Sequence, residues 1–175
     1  MKSRRGMLAL LVALAVFILA ALAAPALAGT QLNPYEQQLA KYVNQERAKK
    51  DLPKLKVHAS LVTAARAHAA DMGTQKYFQH DSLDGSTFAD RMVAAGYDRE
   101  GYRNWRAGEN IAWGSGLYSA PSLIVAQWMD SPAHRAVILS KSFKEIGVGA
   151  VSTEGYGSVE GVVWFFTIDL GARAK

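Results

Sequence analysis

Five segments of the chain carry apolar residues at helical spacing, and each is bounded by a residue that starts or stops a helix. They predict helices over residues 35–50, 60–77, 87–95, 121–129 and 133–139. Proline at the first turn favours a helix start, and the first, fourth and fifth segments each follow a proline. Ser60 is placed to cap the second helix, and Gly96 stops the third.

The spacing changes near the C-terminus, where residues 145–151 and 159–170 are rich in β-branched and aromatic side chains. The linking stretch, residues 152–158, contains turn-forming residues, so the two runs predict an antiparallel hairpin. Both faces of the second strand are apolar: Val162, Trp164, Phe166 and Ile168 on one, Val163 and Phe165 on the other. A strand of this kind needs cover on both sides. The pattern therefore predicts an α+β fold, a three-layer α-β-α sandwich around a central, mainly antiparallel sheet.

In the middle of the chain the apolar residues show neither the helical spacing nor the alternation of a strand clearly. Residues 97–107 are predicted to form an exposed loop, and Gly114-Ser115-Gly116 a flexible one.

The N-terminus has the order of a secretory signal. Lys2, Arg4 and Arg5 precede an uncharged apolar run over 7–24, and Ala26-Leu27-Ala28 offers a small-residue cleavage site. We therefore predict a signal peptide over 1–28, a single domain over 29–175, and a secreted or periplasmic protein. The alternative is an uncleaved anchor, because a bilayer is spanned by roughly 17–25 apolar residues. In that case the protein contacts the membrane through this segment alone.

The chain has no cysteine, so disulfides do not stabilise it and core packing must do so. Without the predicted signal, 17 basic and 15 acidic residues remain, a net charge of +2. A balance so close to neutral gives no reason to expect nucleic acid as a partner.

Candidate chemistry lies in separate patches whose backbone is tightly specified. His80 follows Phe78, Glu109 follows Gly108, and His134 lies in the first turn behind a proline. Residues so far apart in sequence can act together only if the fold brings them into one cleft.

Four patches in this order resemble the bacterial branch of the CAP superfamily (cysteine-rich secretory proteins, antigen 5, pathogenesis-related 1). They are Phe78-Gln79-His80, Gly108-Glu109-Asn110-Ile111-Ala112, Trp128 with Asp130, and Ser131-Pro132-Ala133-His134-Arg135. The resemblance runs from about Asn44 to Gly171 and includes Ile146-Gly147-Val148-Gly149. It implies an α-β-α sandwich with a large cleft, lined in many members by two histidines and two acidic residues.

The resemblance assigns three cleft positions to His80, Glu109 and His134. Many eukaryotic members place a Glu three residues after the helix Trp, and Ser131 occupies that position here. Asp130, its neighbour, is the acidic candidate for the fourth member of this tetrad.

The cluster allows three kinds of chemistry. His80, His134 and Glu109 could bind a divalent metal such as zinc, with one position left for water. The imidazoles could instead act as general acid and base near neutral pH. The third interpretation is a hydrogen-bonded network that stabilises the cleft, with Glu109 accepting from His134 or a backbone N–H.

Three functions remain open at this point. The first is a binding module whose cleft takes a lipid, a peptide or a cell-wall glycan; the resemblance supports it, since lipid and sterol binding is reported for some CAP proteins. The second is a metal-dependent hydrolase using the His80/Glu109/His134 cluster, and the third is a structural or interaction protein without a ligand. No residue is assigned a catalytic role. Of the other histidines, His68 is predicted to lie in the core and His58 to be exposed.

Overall fold

The computed structural model describes residues 31–175, so the predicted signal segment lies outside the described residues. The helices are Pro34–Ala48 (α1), Ala59–Gln75 (α2), Phe88–Ala94 (α3), Pro121–Asp130 (α4) and Pro132–Ile138 (α5), with a 3-10 helix at Gly116–Ser119. The strands are Lys56–Val57 (β1), Asn104–Ser115 (β2), Glu145–Tyr156 (β3) and Val159–Ala174 (β4). None of the helices in this part of the chain is long and apolar enough to cross a membrane.

The strands form one mixed sheet in the order β1-β3-β4-β2. Only the short β1 pairs in parallel, with β3, whereas β4 pairs antiparallel with both β3 and β2. The predicted hairpin is thus β3–β4, and its strands are longer than predicted. β2, the partner of β4 on its other side, forms one edge of the sheet.

Helices cover both faces of this sheet, which confirms the predicted α-β-α sandwich. On one face, Phe166 and Ile168 of β4 pack in a core with residues of α1 and α4. On the other, Val163 and Phe165 pack against Ala69 and Met72 of α2. The two apolar faces of the last strand therefore contact the two helical layers, as their alternation predicts.

The helix ends show where side chains replace the missing backbone partners. Asn33 caps α1 in a reciprocal pair with Glu36, whose carboxylate accepts from the Asn33 N–H. α2 begins one residue earlier than predicted, because the Nδ1 atom of His58 accepts from the N–H of Ser60. The N-cap is therefore His58, and the prediction that Ser60 caps this helix is wrong. The prediction that His58 is exposed is also wrong, because His58 is half-buried.

The largest difference from the sequence predictions is the strand β2. The residues predicted as loops, 97–107 and 114–116, overlap a strand of 12 residues. Gly108, Glu109 and Asn110 interrupt the apolar alternation there, and all three are buried. Glu109 and Asn110 are thus polar side chains at buried positions of a strand, which is why the pattern did not indicate a strand.

Candidate functional site

Glu109 lies at the centre of a buried polar network. Its side chain is fully buried, and both carboxylate oxygens have partners. Oε1 lies 2.8 Å from Nδ1 of His80, and Oε2 accepts from Nη2 of Arg91 at 2.7 Å. The hydrogen-bond donors to Glu109 are therefore His80 and Arg91, rather than His134 or a backbone N–H as the network interpretation predicted.

Arg91, on α3, also holds the loop that carries His80. Its guanidinium donates to the main-chain oxygens of His80 and Ser86, at 2.8 and 3.0 Å, and to the hydroxyl of Ser82 at 3.1 Å. One cation thus joins the 80–86 loop to the edge strand. Since a carboxylate without a partner is costly to bury, Arg91 makes the burial of Glu109 tolerable.

A second carboxyl lies directly opposite Glu109 in the sheet. Asp169 of β4 is its cross-strand partner and is completely buried. Burial, and then the nearby charge of Glu109, raise the pKa of Asp169 well above its ordinary value, against the opposing effect of Arg91. Protonation of Asp169 removes the repulsion between two adjacent buried carboxylates.

The proton on Asp169 gives a testable pH dependence. The folded protein keeps this proton at pH values where the unfolded chain has lost it, so Asp169 lowers stability as pH rises above about 3.9. We therefore expect Asp169→Asn to become progressively more stable relative to wild type between about pH 4.5 and about pH 8. The slope is at most about 1.4 kcal/mol per pH unit.

Urea denaturation at each pH measures this difference. Asp130→Asn is the matched control, because it makes the same change of side chain at an exposed position. A difference for Asp169→Asn that does not change with pH would show that Asp169 ionises normally in the folded protein.

His68 completes the buried side of the network. It is fully buried, as predicted for a core histidine, and its Nε2 lies 3.1 Å from the main-chain oxygen of Gln79. Because a carbonyl only accepts, Nε2 carries the proton. Burial is the main cause that lowers the pKa of His68, which favours this neutral form.

The pKa values of the two predicted cleft histidines shift in opposite directions. The hydrogen bond to Glu109 raises the pKa of His80. Burial, together with the charge of His80, lowers the pKa of His134. His134 therefore favours the neutral imidazole.

His134 lines an apolar groove of about 840 Å³ beside the network. The remaining lining residues are Phe78, Ile111, Ala112, Trp113, Gly114, Ser115, Tyr118, Leu123, Ala126, Gln127, Trp128, Asp130, Ser131 and Val159. Asp130 is exposed at this groove and makes no hydrogen bond to His80, Glu109 or His134. The structure thus places Asp130 near His134 but outside the Glu109 network.

The metal site stays a prediction. Within residues 31–175, no group of three or more His, Cys, Asp or Glu side chains is arranged to hold a metal ion. Both oxygens of Glu109 already accept hydrogen bonds, from His80 and from Arg91. The hydrolase that depends on such a metal stays a prediction with it.

Zinc titration by calorimetry tests the metal hypothesis. It predicts that His80→Ala and His134→Ala each lose most of the zinc affinity of wild type, with Asp130→Ala less affected. Affinity should also fall as pH drops through the histidine range near ~6.5, because only neutral imidazole binds zinc. Unchanged affinity in both histidine variants would rule out the site.

Two residues of the network, Arg91 and Asp169, were not predicted as site residues. Asp169 was hidden because its role depends on strand register, which sets it opposite Glu109. A lone Asp within an otherwise apolar strand was the available signal, since an acidic residue there needs a buried partner. Arg91 gave no comparable signal, because an arginine on a short helix is usually solvated.

Comparison with known proteins identifies the family. The model of the cysteine-rich secretory protein family, CAP, matches residues 40–169. The uncharacterized protein YkwD of Bacillus subtilis is 36% identical over 126 residues, which cover 72% of this chain and 46% of YkwD. The uncharacterized membrane protein YlbC of the same organism is 31% identical over 114 residues, or 65% of this chain and 31% of YlbC. The chain therefore spans less than half the length of these curated relatives.

Solved structures agree with the fold. An extracellular protein containing an SCP domain from Bacillus anthracis is similar with a TM-score of 0.62 and 27% identity, over 83% of this chain and 45% of that one. An outer surface protein from Borrelia burgdorferi has a TM-score of 0.64 at 22% identity, over 79% and 92% of the two chains, and supports the fold alone. The matched sequence, the α-β-α sandwich and the paired His80 and Glu109 lead to one conclusion: the chain belongs to the cysteine-rich secretory protein (CAP) family.

Proposed function

We propose that the protein is an extracytoplasmic binding module that holds an apolar, extended ligand in the groove beside His134. The observation that carries this proposal is the groove itself. Its volume of about 840 Å³ lies within the range of about 300–1,000 Å³ typical of small-molecule sites, and its lining is mostly apolar and aromatic.

Exposed apolar side chains along the groove support the same function. Phe78, Leu123 and Tyr118 are 38%, 47% and 78% exposed, and all three line it. Large apolar groups grouped around one concave surface usually mark an interaction site. A ligand in the groove would remove them from water.

The polar network gives this groove a fixed wall. With both oxygens of Glu109 occupied, the network is suited to hold β2 and the 80–86 loop in place rather than to contact a ligand. Location outside the cytoplasm is inferred from the predicted signal segment, and the extracellular SCP-domain protein of similar structure is consistent with it.

Binding of Nile red, a neutral apolar fluorophore, tests the groove. Leu123→Ser should weaken binding about fivefold, because roughly 1 kcal/mol of apolar contact is lost from a half-exposed leucine. Leu117→Ser is the matched control, since Leu117 is 86% exposed on the neighbouring 3-10 helix and does not line the groove. Equal binding by wild type and both variants, or no binding to wild type, would count against the proposal.

A further inference from the structure

The outer edge of β2 offers unpaired backbone groups. β2 pairs only with β4, in a register that is unbroken from Asn104 to Ser115. The main-chain oxygen of Ile111 accepts from the indole N–H of Trp128 on α4, at 3.0 Å, so it points away from β4. Since backbone direction alternates along an antiparallel strand, Trp113 and Ser115 also point their N–H and C=O groups outward.

Most of these outward groups are free within the described chain. The main chain of Trp113 and the N–H of Ser115 make no hydrogen bond outside the sheet with any residue in 31–175. The C=O of Ser115 is engaged, because Ser115 is the N-cap of the 3-10 helix and accepts the first bond of that helix. The indole of Trp128 closes the edge at Ile111, and beyond that point no described side chain bonds to it. Three backbone groups, the N–H and C=O of Trp113 and the N–H of Ser115, therefore remain in the pattern that an added strand would use.

The groove lies along this same free edge. Residues 111–115 line it directly, so the edge is part of its surface. Its walls come from both layers of the sandwich: Trp113 belongs to the core on the α2 side, and Leu123 and Gln127 come from α4 on the opposite side. An extended chain placed against the edge would thus have apolar contacts available on both faces.

The charge of the groove discriminates among ligands. Among its described lining residues there is no Lys or Arg, and Asp130 is the single acidic group. His134, the remaining titratable base, favours its neutral form. An anionic ligand such as a fatty acid or a phosphate-bearing lipid would meet no cation there, whereas a cationic group would be attracted to Asp130.

We propose, building on the binding function above, that the occupant is an extended peptide segment that adds to the edge of β2 as a fifth strand. Its main chain pairs with Trp113 and Ser115, its apolar side chains enter the groove, and a basic side chain lies near Asp130. Main-chain pairing supplies affinity in this mode, and the side-chain pockets supply selectivity.

Synthetic peptides test this arrangement. The probe is a pool of acetylated, amidated heptapeptides in which serine alternates with valine or leucine and one position is lysine. The tightest-binding member is then made in two N-methylated forms, one methylated at every odd residue and the other at every even residue. Only alternate amides of an added strand face β2, so one form should bind at least about tenfold more weakly and the other within about twofold.

Two further measurements localise the contact. Amide hydrogen exchange should slow at Trp113 and Ser115 when the peptide binds. Asp130→Asn should weaken binding of the lysine peptide about threefold or more. Replacing the lysine of the peptide with glutamate should also weaken its binding.

Failure of strand addition and failure of the groove function would give different results. Equal effects of the two N-methylation patterns, or unchanged exchange at Trp113 and Ser115, would overturn strand addition. Nile red binding without any peptide binding, or a lipid or glycan retained in its place, would overturn the peptide and leave the groove function standing. If neither Nile red nor peptide binds, both proposals are wrong.

Discussion

Gly147→Ala should prevent folding or destabilise the protein by about 3 kcal/mol or more. β3 turns Gly147 and Gly149 toward α2, and the helix backbone lies directly on them. A Cβ atom at Gly147 would meet the main chain of Leu61 and Val62, and one at Gly149 the main chain of Ala65 and Arg66. Backbone cannot rotate away as a side chain can, so α2 would have to separate from the sheet.

Gly73→Ala is the matched control for this substitution. Gly73 lies on α2 at the same interface, but an added Cβ there meets the side chain of Phe165 at 3.3 Å rather than backbone. Alanine also favours a helix by about 1 kcal/mol over glycine, so the net change should stay within about 1 kcal/mol. Denaturant titration compares the two variants. A loss below about 1 kcal/mol for Gly147→Ala would mean that α2 does not pack on β3 in this way.

Arg91→Met should cost about 3–5 kcal/mol, the second large effect we expect. The variant leaves the carboxylate of Glu109 buried without its cation, and removing one partner of a buried ion pair is expensive on this scale. It also removes the bonds that hold the 80–86 loop.

A double-mutant cycle separates these contributions. Glu109→Gln removes the charge that Arg91 compensates, so Arg91→Met combined with Glu109→Gln should cost clearly less than the sum of the single variants. Urea denaturation measures the free energy of unfolding of wild type, of each single variant and of the double variant. Additive losses would show that Arg91 acts through the loop alone and not through Glu109.

The helices and the hairpin were predictable because local signals specify them. Prolines at Pro34, Pro121 and Pro132 mark three helix starts in both the sequence and the structure. The alternation around Phe165 and Phe166 predicted two covered faces, and the structure buries both residues. In each case the period of the apolar residues and the packing of the chain agree.

The site was less predictable because it depends on long-range register. The family resemblance selected His80, Glu109 and His134, and the structure places the first two in hydrogen-bond contact. It did not reveal that Asp169 pairs across the sheet with Glu109, or that Arg91 neutralises it, since neither contact is local in sequence. The groove is likewise formed by β2, α4 and Phe78, and both ends of β2 were predicted to be loops.

The groove, in our proposal, binds the ligand, and the Glu109 network only supports it. Nile red titration of wild type, Leu123→Ser and His80→Gln tests this most directly, since His80 does not line the groove and Leu123 does. We expect Leu123→Ser to weaken binding about fivefold, whereas His80→Gln should stay within about twofold of wild type. Loss of binding in folded His80→Gln, with Leu123→Ser unaffected, would contradict the proposal and place the ligand at the histidine cluster.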